Sequence, residues 1–404
     1  MTPTKIKHLV VGTPQGVAGD LRKEARFAFN YSAHESSCEV SVSMPLRAES
    51  YASGALLPVF EMNRPEGYLL YKIEEAFAKA GGLDDMRLLD IVGGQQIGRL
   101  SYARPDERRE IKSRQIGLTE ILKRQPTSEL FDFLVATYFE SGISGVQPKV
   151  LVPDGDRAGT ALDRETVIHA DLIVKAGGAE FPHLTQNEFM CMTAARAAGI
   201  DTPRFWLSDD GGLFVVERFD LKDGEVLGFE DMGVLMNKTS RRKYEGSYEN
   251  VAKAVRLYCA EADPLADLHR LFEYVAFTVM VRNGDGHLKN FGLLYQHPGA
   301  RGSIRLAPLY DVVTTSLYGV TNPRTAITKY DRTLALSLNK SKSYPDVDTL
   351  LEFGRQTCGV NRPIEVIERI AEALERTLKE YQGRIAEELW RGLSGEWGVP
   401  ARRA

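Results

Sequence analysis

The chain has 404 residues, 43% hydrophobic and 26% charged, which is ample core material for roughly two to three globular domains. A formal net charge of -4 excludes a wholesale nucleic-acid coat and leaves only local basic patches. Four widely spaced cysteines, Cys38, Cys191, Cys259 and Cys358, with no CxxC pair, exclude a disulfide frame or a zinc site and point to reduced thiols in a cytoplasmic protein. The opening MTPTKIKHLVVGTP lacks the apolar core of a signal peptide, and no apolar run approaches membrane-spanning length, so no membrane association is expected.

Residues 1–105 read as a first unit. Strands are expected at His8 to Gly12 and Arg26 to Tyr31, broken by Gly12, Gly16 and Gly19, and Val40 to Pro45 alternates. GYLLYKIEEAFAKA, at 67–80, has helical spacing, and a second helix is expected around Asp84 to Val92. GGQQIGRL follows. Its glycines are those of a phosphate loop in composition, but no helix with a free N-terminus follows, so a plain turn into a strand is expected. Residues 105–135 are charged and helical, with Thr127 or Ser128 as an N-cap.

The next informative stretch is SGISGVQPKVLV, at 141–152. Gly142 and Gly145 let backbone amides approach an anion, and Lys149 adds a positive charge. No GK[ST] is present, and standing alone the stretch reads as an ordinary β-turn. ADLIVKA, at 170–176, is an apolar strand carrying Lys175, and the helix expected at 184–199 carries Glu188. A strand lysine and a helix glutamate can form the pair that holds ATP phosphates, although a surface helix carboxylate is an equally good reading of Glu188. A strand pair is expected around the turn at Asp209 to Gly212, ending in VERFD. Before Asp220 strands dominate the pattern; after it, long helices do. The polar segment FEDMGVLMNKTSRRKYE, at 229–245, is expected as a mobile loop whose TSRRK run meets solvent or an acidic partner.

Helices are expected at 251–258 and 264–282, the second burying one side through Leu268, Leu271, Val275 and Val279. That helix delivers VRNGDGHLKNF. Asp285 and Asn290 stand five apart, and a further acid, Asp311, sits in the apolar frame APLYDVVTT. Phosphoryl transfer from Mg-ATP needs this set: an acid to take the proton of the attacking hydroxyl, an Asn to hold a metal, and an acid to bridge that metal to phosphates. By itself the D-x-x-x-x-N spacing is common by chance. His287 fits a ligand, a base or a structural hydrogen bond equally. Residues 318–345 are long, irregular and basic, with Lys329, Arg332, Lys340 and Lys342. One or two helices are expected at 363–393.

In this order, SMPLR, GGQQIGRL, SGVQPK, LIVK, NEFMCMTAARAAGI, VERFD, NGDGHLKNF, LAPLYDVV and LALSLNKSK resemble the HipA-like serine/threonine kinases, the toxins of bacterial toxin–antitoxin pairs. The resemblance covers nearly the whole chain. It implies an α+β, two-lobed protein-kinase-like fold. Residues 1–105 would be a HipA-type N-terminal subdomain, 106–220 a sheet-rich small lobe, and 221–404 an all-helical large lobe. It implies ATP and Mg2+ as cofactors, with Asp285 as catalytic base and Asn290 and Asp311 as metal ligands. Lys175 would bind ATP, Ser144, Gly145, Val146, Gln147 and Lys149 would cover its phosphates, and Glu217 with Phe219 would read the adenine. His287 and Lys289 join the nucleotide-binding set.

Members of this family can be switched off by phosphorylation of serines in the Gly-rich loop. The loop serine of the best-known members is Gly142 here, so the resemblance points to Ser144, then Ser141, for autophosphorylation. The implied partners are a small helix-turn-helix antitoxin (HipB-like) and a protein substrate such as an aminoacyl-tRNA synthetase, with DNA reached only through the antitoxin. A binding role as a co-repressor beside the helix-turn-helix partner, and a small-molecule phosphotransferase, are the competing functions. The intact Lys175, Asp285, Asn290 and Asp311 set argues against the first, and the N-terminal unit against the second.

Overall fold

The computed structural model describes residues 5–65, 70, 73–74, 83–93, 96–105, 118–123, 165–169, 171–177, 181–321, 328–330 and 332–402. The Gly-rich stretch 141–152, with Ser141, Ser144, Gly145, Val146, Gln147 and Lys149, lies outside them, as do Thr127 and Ser128. Of the helix expected at 67–80, only Leu70, Ile73 and Glu74 are described, and Ile73 is buried. Among the described residues no helix is long and apolar enough to cross a membrane.

The first layer is a five-stranded antiparallel sheet. Its strands are β1 (His8–Thr13), β2 (Gly16–Lys23), β3 (Phe27–Tyr31), β4 (Tyr51–Ser53) and β5 (Ser101–Ala103), in the order β4-β3-β2-β1-β5. Gly16 and Gly19 do not break a strand, as their composition suggested; they belong to β2. A Cβ at Gly19 would collide with the carbonyl oxygen of Asn30, so the glycine lets β3 pass close rather than making a turn. The alternating residues Val40, Val42 and Met44 are buried without forming a strand. Helix α1 (Pro58–Glu61) and helix α2 (Asp85–Val92), whose N-cap Asp84 accepts from Arg87 N at 2.9 Å, close this core around Leu9, Leu21, Phe29, Phe60 and Leu89.

The second layer is an antiparallel sheet of β6 (Glu165–His169), β7 (Leu172–Ala176), β8 (Phe205–Leu207) and β9 (Leu213–Glu217), ordered β6-β7-β9-β8. Helix α3 (Leu118–Lys123) brings Ile121 against Leu172, Val174 and Val215 on one face. Helix α4 (Leu184–Ala197) brings Met192 against Ile173, Phe214 and Val216 on the other. Covering on both faces explains why LIVKA is an apolar run rather than an alternation.

The segment after Asp220 departs most from expectation. A hairpin, β10 (Leu221–Lys222) with β11 (Glu225–Val226), leads to β12 (Gly228–Asp231) and helix α5 (Met232–Leu235). All of 228–235 is buried, so the expected mobile loop at 229–245 is instead part of the core in its first half. Its polar residues have interior work: Asp231 caps α5 by accepting from Val234 N at 2.9 Å. Helices α6 (Tyr248–Tyr258) and α7 (Pro264–Met280) follow. In α7 every residue from Leu271 to Met280 is buried, so it is wrapped on all sides and not on one face as its spacing suggested.

Strands β13 (Gly292–Tyr295) and β14 (Arg305–Leu306) join β12 in an antiparallel sheet. The basic segment 318–345 contains the pairs β15 (Gly319–Thr321) with β16 (Thr328–Tyr330) and β17 (Thr333–Leu338) with β18 (Ser341–Ser343). The large lobe is therefore not all-helical. Its strands are two to six residues long, too short to print a period on the sequence. Helices α8 (Val347–Glu352), α9 (Pro363–Tyr381) and α10 (Glu387–Glu396) complete it, the last two separated at Gly383, which has φ +76°.

Two buried clasps join the first unit to the rest. The Glu230 carboxylate accepts from Ser41 Oγ (2.5 Å), Val42 N (2.8 Å) and Tyr295 OH (2.6 Å). Asp220 accepts from Gly98 N (2.7 Å) and from Arg218 Nε (3.0 Å) and Nη2 (2.6 Å), while Arg218 also reaches Gln96 O (3.1 Å). GGQQIGRL is thus a docking turn whose Gly98 amide is already bonded. Burial pushes the Glu230 carboxyl up to about 7. The folded state then holds a proton that the unfolded chain releases from about pH 4.5 upward, so this group's contribution falls as pH rises from 4.5 to 7. Urea midpoints of the wild type should therefore drop more between pH 5 and pH 8 than those of Glu230→Gln; parallel pH profiles would refute this assignment.

Candidate active site

Helix α7 ends sharply and the chain turns back on itself. Arg282 takes φ +55°, Asn283 N bonds Thr278 O (3.0 Å), and Asn283 Oδ1 then accepts from Asp285 N (3.1 Å). Thr315 fastens the turn from outside: its Oγ accepts from Gly284 N (2.6 Å) and donates to Arg282 O (3.2 Å). Tyr248 OH donates to Gly286 O (3.1 Å). These bonds present Asp285 at the surface of a buried helix end, its side chain 29% exposed.

The next turn orients Asn290. Its Oδ1 accepts from His287 N (2.9 Å), which leaves Nδ2 to donate to Asp311 Oδ2 (2.7 Å). Asp311 itself has φ +61°, a left-handed conformation that Asp tolerates better than most residues. Its other oxygen, Oδ1, accepts from Lys175 Nζ (2.8 Å), and Lys175 also donates to Glu188 Oε1 (2.6 Å). Lys175 comes from β7 and Glu188, only 2% exposed, from α4. Four residues expected from sequence, Lys175, Glu188, Asn290 and Asp311, are thereby gathered from four parts of the chain, and the surface reading of Glu188 is excluded.

The other expected residues fall around this cluster. The His287 ring is buried, with Nε2 4.0 Å from Asp285 Oδ1; burial lowers its pKa to about 4, so it is neutral near pH 7. Lys289 lies in the same turn, gives its carbonyl to Tyr310 OH (2.7 Å), and lines a small cavity with Glu61, Lys238 and Lys243. Glu217 ends β9, and its carboxylate accepts from Arg204 Nε (2.6 Å). The Phe219 ring packs against Tyr310 (centroids 5.2 Å) and Phe229 (5.5 Å). Sequence reading missed Tyr244, whose hydroxyl donates to Asp285 Oδ1 (2.8 Å), and Thr315. A tyrosine in a basic polar run and a threonine in TTS carry no spacing signal.

The donor set suits a hard cation. Asp311 offers a carboxylate, and Mg2+ is commonly held by one or two carboxylates together with substrate phosphates. Asn290 turns its nitrogen to Asp311 and its oxygen to His287 N, so its oxygen would join a cation only after the amide turns over. Both Asp311 oxygens accept from donors here, so a cation would replace the Lys175 or Asn290 contact. Among the described residues no group of three or more His, Cys, Asp or Glu forms a metal cage.

A two-lobed α+β protein with a lysine–acid–amide cluster joining the β7 sheet to the turn after α7 is thus defined by the geometry. The sequence profile of the HipA-like C-terminal domain matches residues 141–380, and that of the HipA N-terminal domain matches residues 9–103. The chain belongs to the HipA-like family. It is similar to Y4mE of Sinorhizobium fredii, provisionally named a kinase, with 28% identity over 379 residues, 86% of this chain and 84% of that one. A Haemophilus influenzae protein with the same provisional name is 27% identical over 265 residues, 59% of this chain and 74% of that one. The Shewanella oneidensis MR-1 HipA, solved with HipB and operator DNA, superposes with a TM-score of 0.63 at 16% identity, covering 96% of this chain and 94% of that one. The fold is HipA-type.

The turn that carries Asp285 has no room for larger residues. A Cβ at Gly284 would stand 2.7 Å from Thr333 O and 2.9 Å from Thr315 Oγ. Gly284→Ala should lower stability by about 1–3 kcal/mol in urea unfolding. It should also raise amide exchange at Asp285 and Gly286; an unchanged exchange pattern would show that the Thr315 clasp does not hold the turn.

Proposed function

We propose that this chain is an ATP-dependent serine/threonine protein kinase. The observation that carries the reading is Asp311, held at one oxygen by Lys175 and at the other by Asn290, with Asp285 on the same turn as Asn290. In this reading residues 1–105 are the family's N-terminal subdomain, 106–220 the small lobe and 221–404 the large lobe. The loop residues Ser144, Gly145, Val146, Gln147 and Lys149 cover the phosphates. Glu217 and Phe219 line the adenine side, and His287 and Lys289 serve the nucleotide side of the catalytic turn.

The residues then divide the work. On nucleotide binding Lys175 keeps Glu188 and exchanges its contact with Asp311 for the phosphates. Asn290 and Asp311 are the residues that would hold Mg2+, which would supply positive charge against the phosphates. Asp285 accepts the proton of the acceptor hydroxyl as that oxygen attacks the γ-phosphorus and ADP departs. His287, neutral near pH 7, stands beside the base with Nε2 4.0 Å from Asp285 Oδ1. Catalysis is mostly positioning and electrostatics, in keeping with a site built from clasps rather than from a nucleophile.

The family and the likeness to a HipA solved with HipB and operator DNA support a toxin role, restrained by a small helix-turn-helix antitoxin that alone touches DNA. The protein substrate in this reading is a bacterial translation protein such as an aminoacyl-tRNA synthetase. Phosphate added at Ser144, or second at Ser141, would bring about -1.5 to -2 charges beside the ATP phosphates and repel nucleotide. The same likeness favours one second reading, a co-repressor subunit of such a complex without catalysis.

The discriminating experiment is phosphate transfer from Mg-ATP by the intact chain. Asp285→Gln should lower the rate by about 10²–10⁴-fold; rates equal to wild type would sink the kinase reading and leave the co-repressor one. Mass spectrometry after incubation with Mg-ATP should find phosphate on Ser144, and phosphate confined to residues outside 141–144 would remove the switch.

A further inference from the structure

The candidate base has a companion from a different part of the chain. Tyr244 lies between Thr239 and Ser247, where its backbone is fastened on two sides. Lys243 O accepts from Leu288 N (3.1 Å) in the catalytic turn, and Tyr244 O accepts from Lys342 Nζ (3.1 Å) beyond β17. Two residues on, Gly246 O accepts both Ser337 N and Ser337 Oγ, each at 3.2 Å. The ring stands edge-on to His287 with centroids 5.1 Å apart. A side chain that is 40% exposed is thus aimed by fixed backbone, and its hydroxyl meets Asp285 Oδ1 at 2.8 Å.

Among the described residues that hydroxyl is the side-chain hydrogen-bond donor to the Asp285 carboxylate. His287 Nε2 is too distant at 4.0 Å and carries no charge near pH 7. The other charged groups on this face are Lys243 and Lys289, which flank His287, and Lys342 behind Tyr244. A carboxylate with one oxygen fixed by an O–H donor presents its second oxygen in a defined direction.

We propose that Tyr244 is a positioning residue for phosphoryl transfer: its hydroxyl fixes Oδ1 of Asp285, so that Oδ2 receives the proton of the acceptor. The inference rests on the kinase reading given above. Its rival is that the tyrosine hydroxyl stands in the place of the acceptor, as a plug or as an acceptor itself.

Tyr244→Phe keeps the ring contact with His287 and removes only the donor. With the intact chain and Mg-ATP, ADP release should fall about 10-fold in kcat, the usual worth of a hydrogen bond to a charged group. KM for ATP should stay within about twofold, because ground-state nucleotide binding is untouched. A kcat that is unchanged or raised, or phosphate found on Tyr244 of the wild type, overturns the proposal in favour of the rival. A second measurement does not need turnover. In protein labelled with 13C at aspartate carboxyls and free of nucleotide, the Asp285 carboxyl resonance at pH 7 should be displaced in Tyr244→Phe relative to wild type, because its hydroxyl donor is gone. Equal resonances overturn the proposal even if no ADP is released, whereas a silent wild type with a displaced resonance sinks only the kinase reading.

Discussion

Asp311 is the point on which the site depends. Its two oxygens are claimed by donors of different origin, the Lys175 ammonium from the small-lobe sheet and the Asn290 amide from the turn after α7. Neither bond is strong by itself in a partly exposed cleft. Together they bring the edge of β7 and the end of the central large-lobe helix to one carboxylate. The left-handed backbone of Asp311 is part of the same constraint: an ordinary extended residue there would point the carboxylate elsewhere.

Everything around that carboxylate serves to make its position repeatable. Glu188 is buried and holds the far side of the Lys175 ammonium, so the lysine cannot swing to solvent. Helix α7 is enclosed by apolar neighbours, and its end is a fixed platform rather than a frayed terminus. Thr315, four residues beyond Asp311, bonds the turn that carries Asp285. The acid cluster and the candidate base are therefore linked through the backbone as well as through the cleft, which is what transfer chemistry based on positioning requires.

The first unit is coupled to this frame by polar groups that have left water. Glu230 accepts two hydrogen bonds from it, from Ser41 and Val42, and Asp220 accepts one, from Gly98. Such groups are costly to bury unless every partner is present, so they fix the register of the two surfaces more sharply than apolar contact alone. They also give a role to residues of two stretches that sequence reading had left without one. SMPLR lies beside a buried acceptor, and the Arg218 and Asp220 of VERFD clasp a turn in the first unit rather than facing a ligand.

What the sequence determined by itself was local or ordered along the chain. The spacing of Asp285 and Asn290, the strand lysine, the helix at 184–197 and the sequential order of motifs were all legible, because short-range periodicity and motif order survive in one dimension. Only tertiary structure decided which of those residues meet. It buried Glu188, left the Glu217 carboxylate on Arg204, and neutralised His287 by enclosing it. It also turned the polar run at 229–245 into a strand, a short helix and the arm that carries Tyr244 to Asp285. The physical reason is the same in each case. The charge state, partner and direction of a polar side chain are set by what excludes water around it, and those neighbours come from distant parts of the chain.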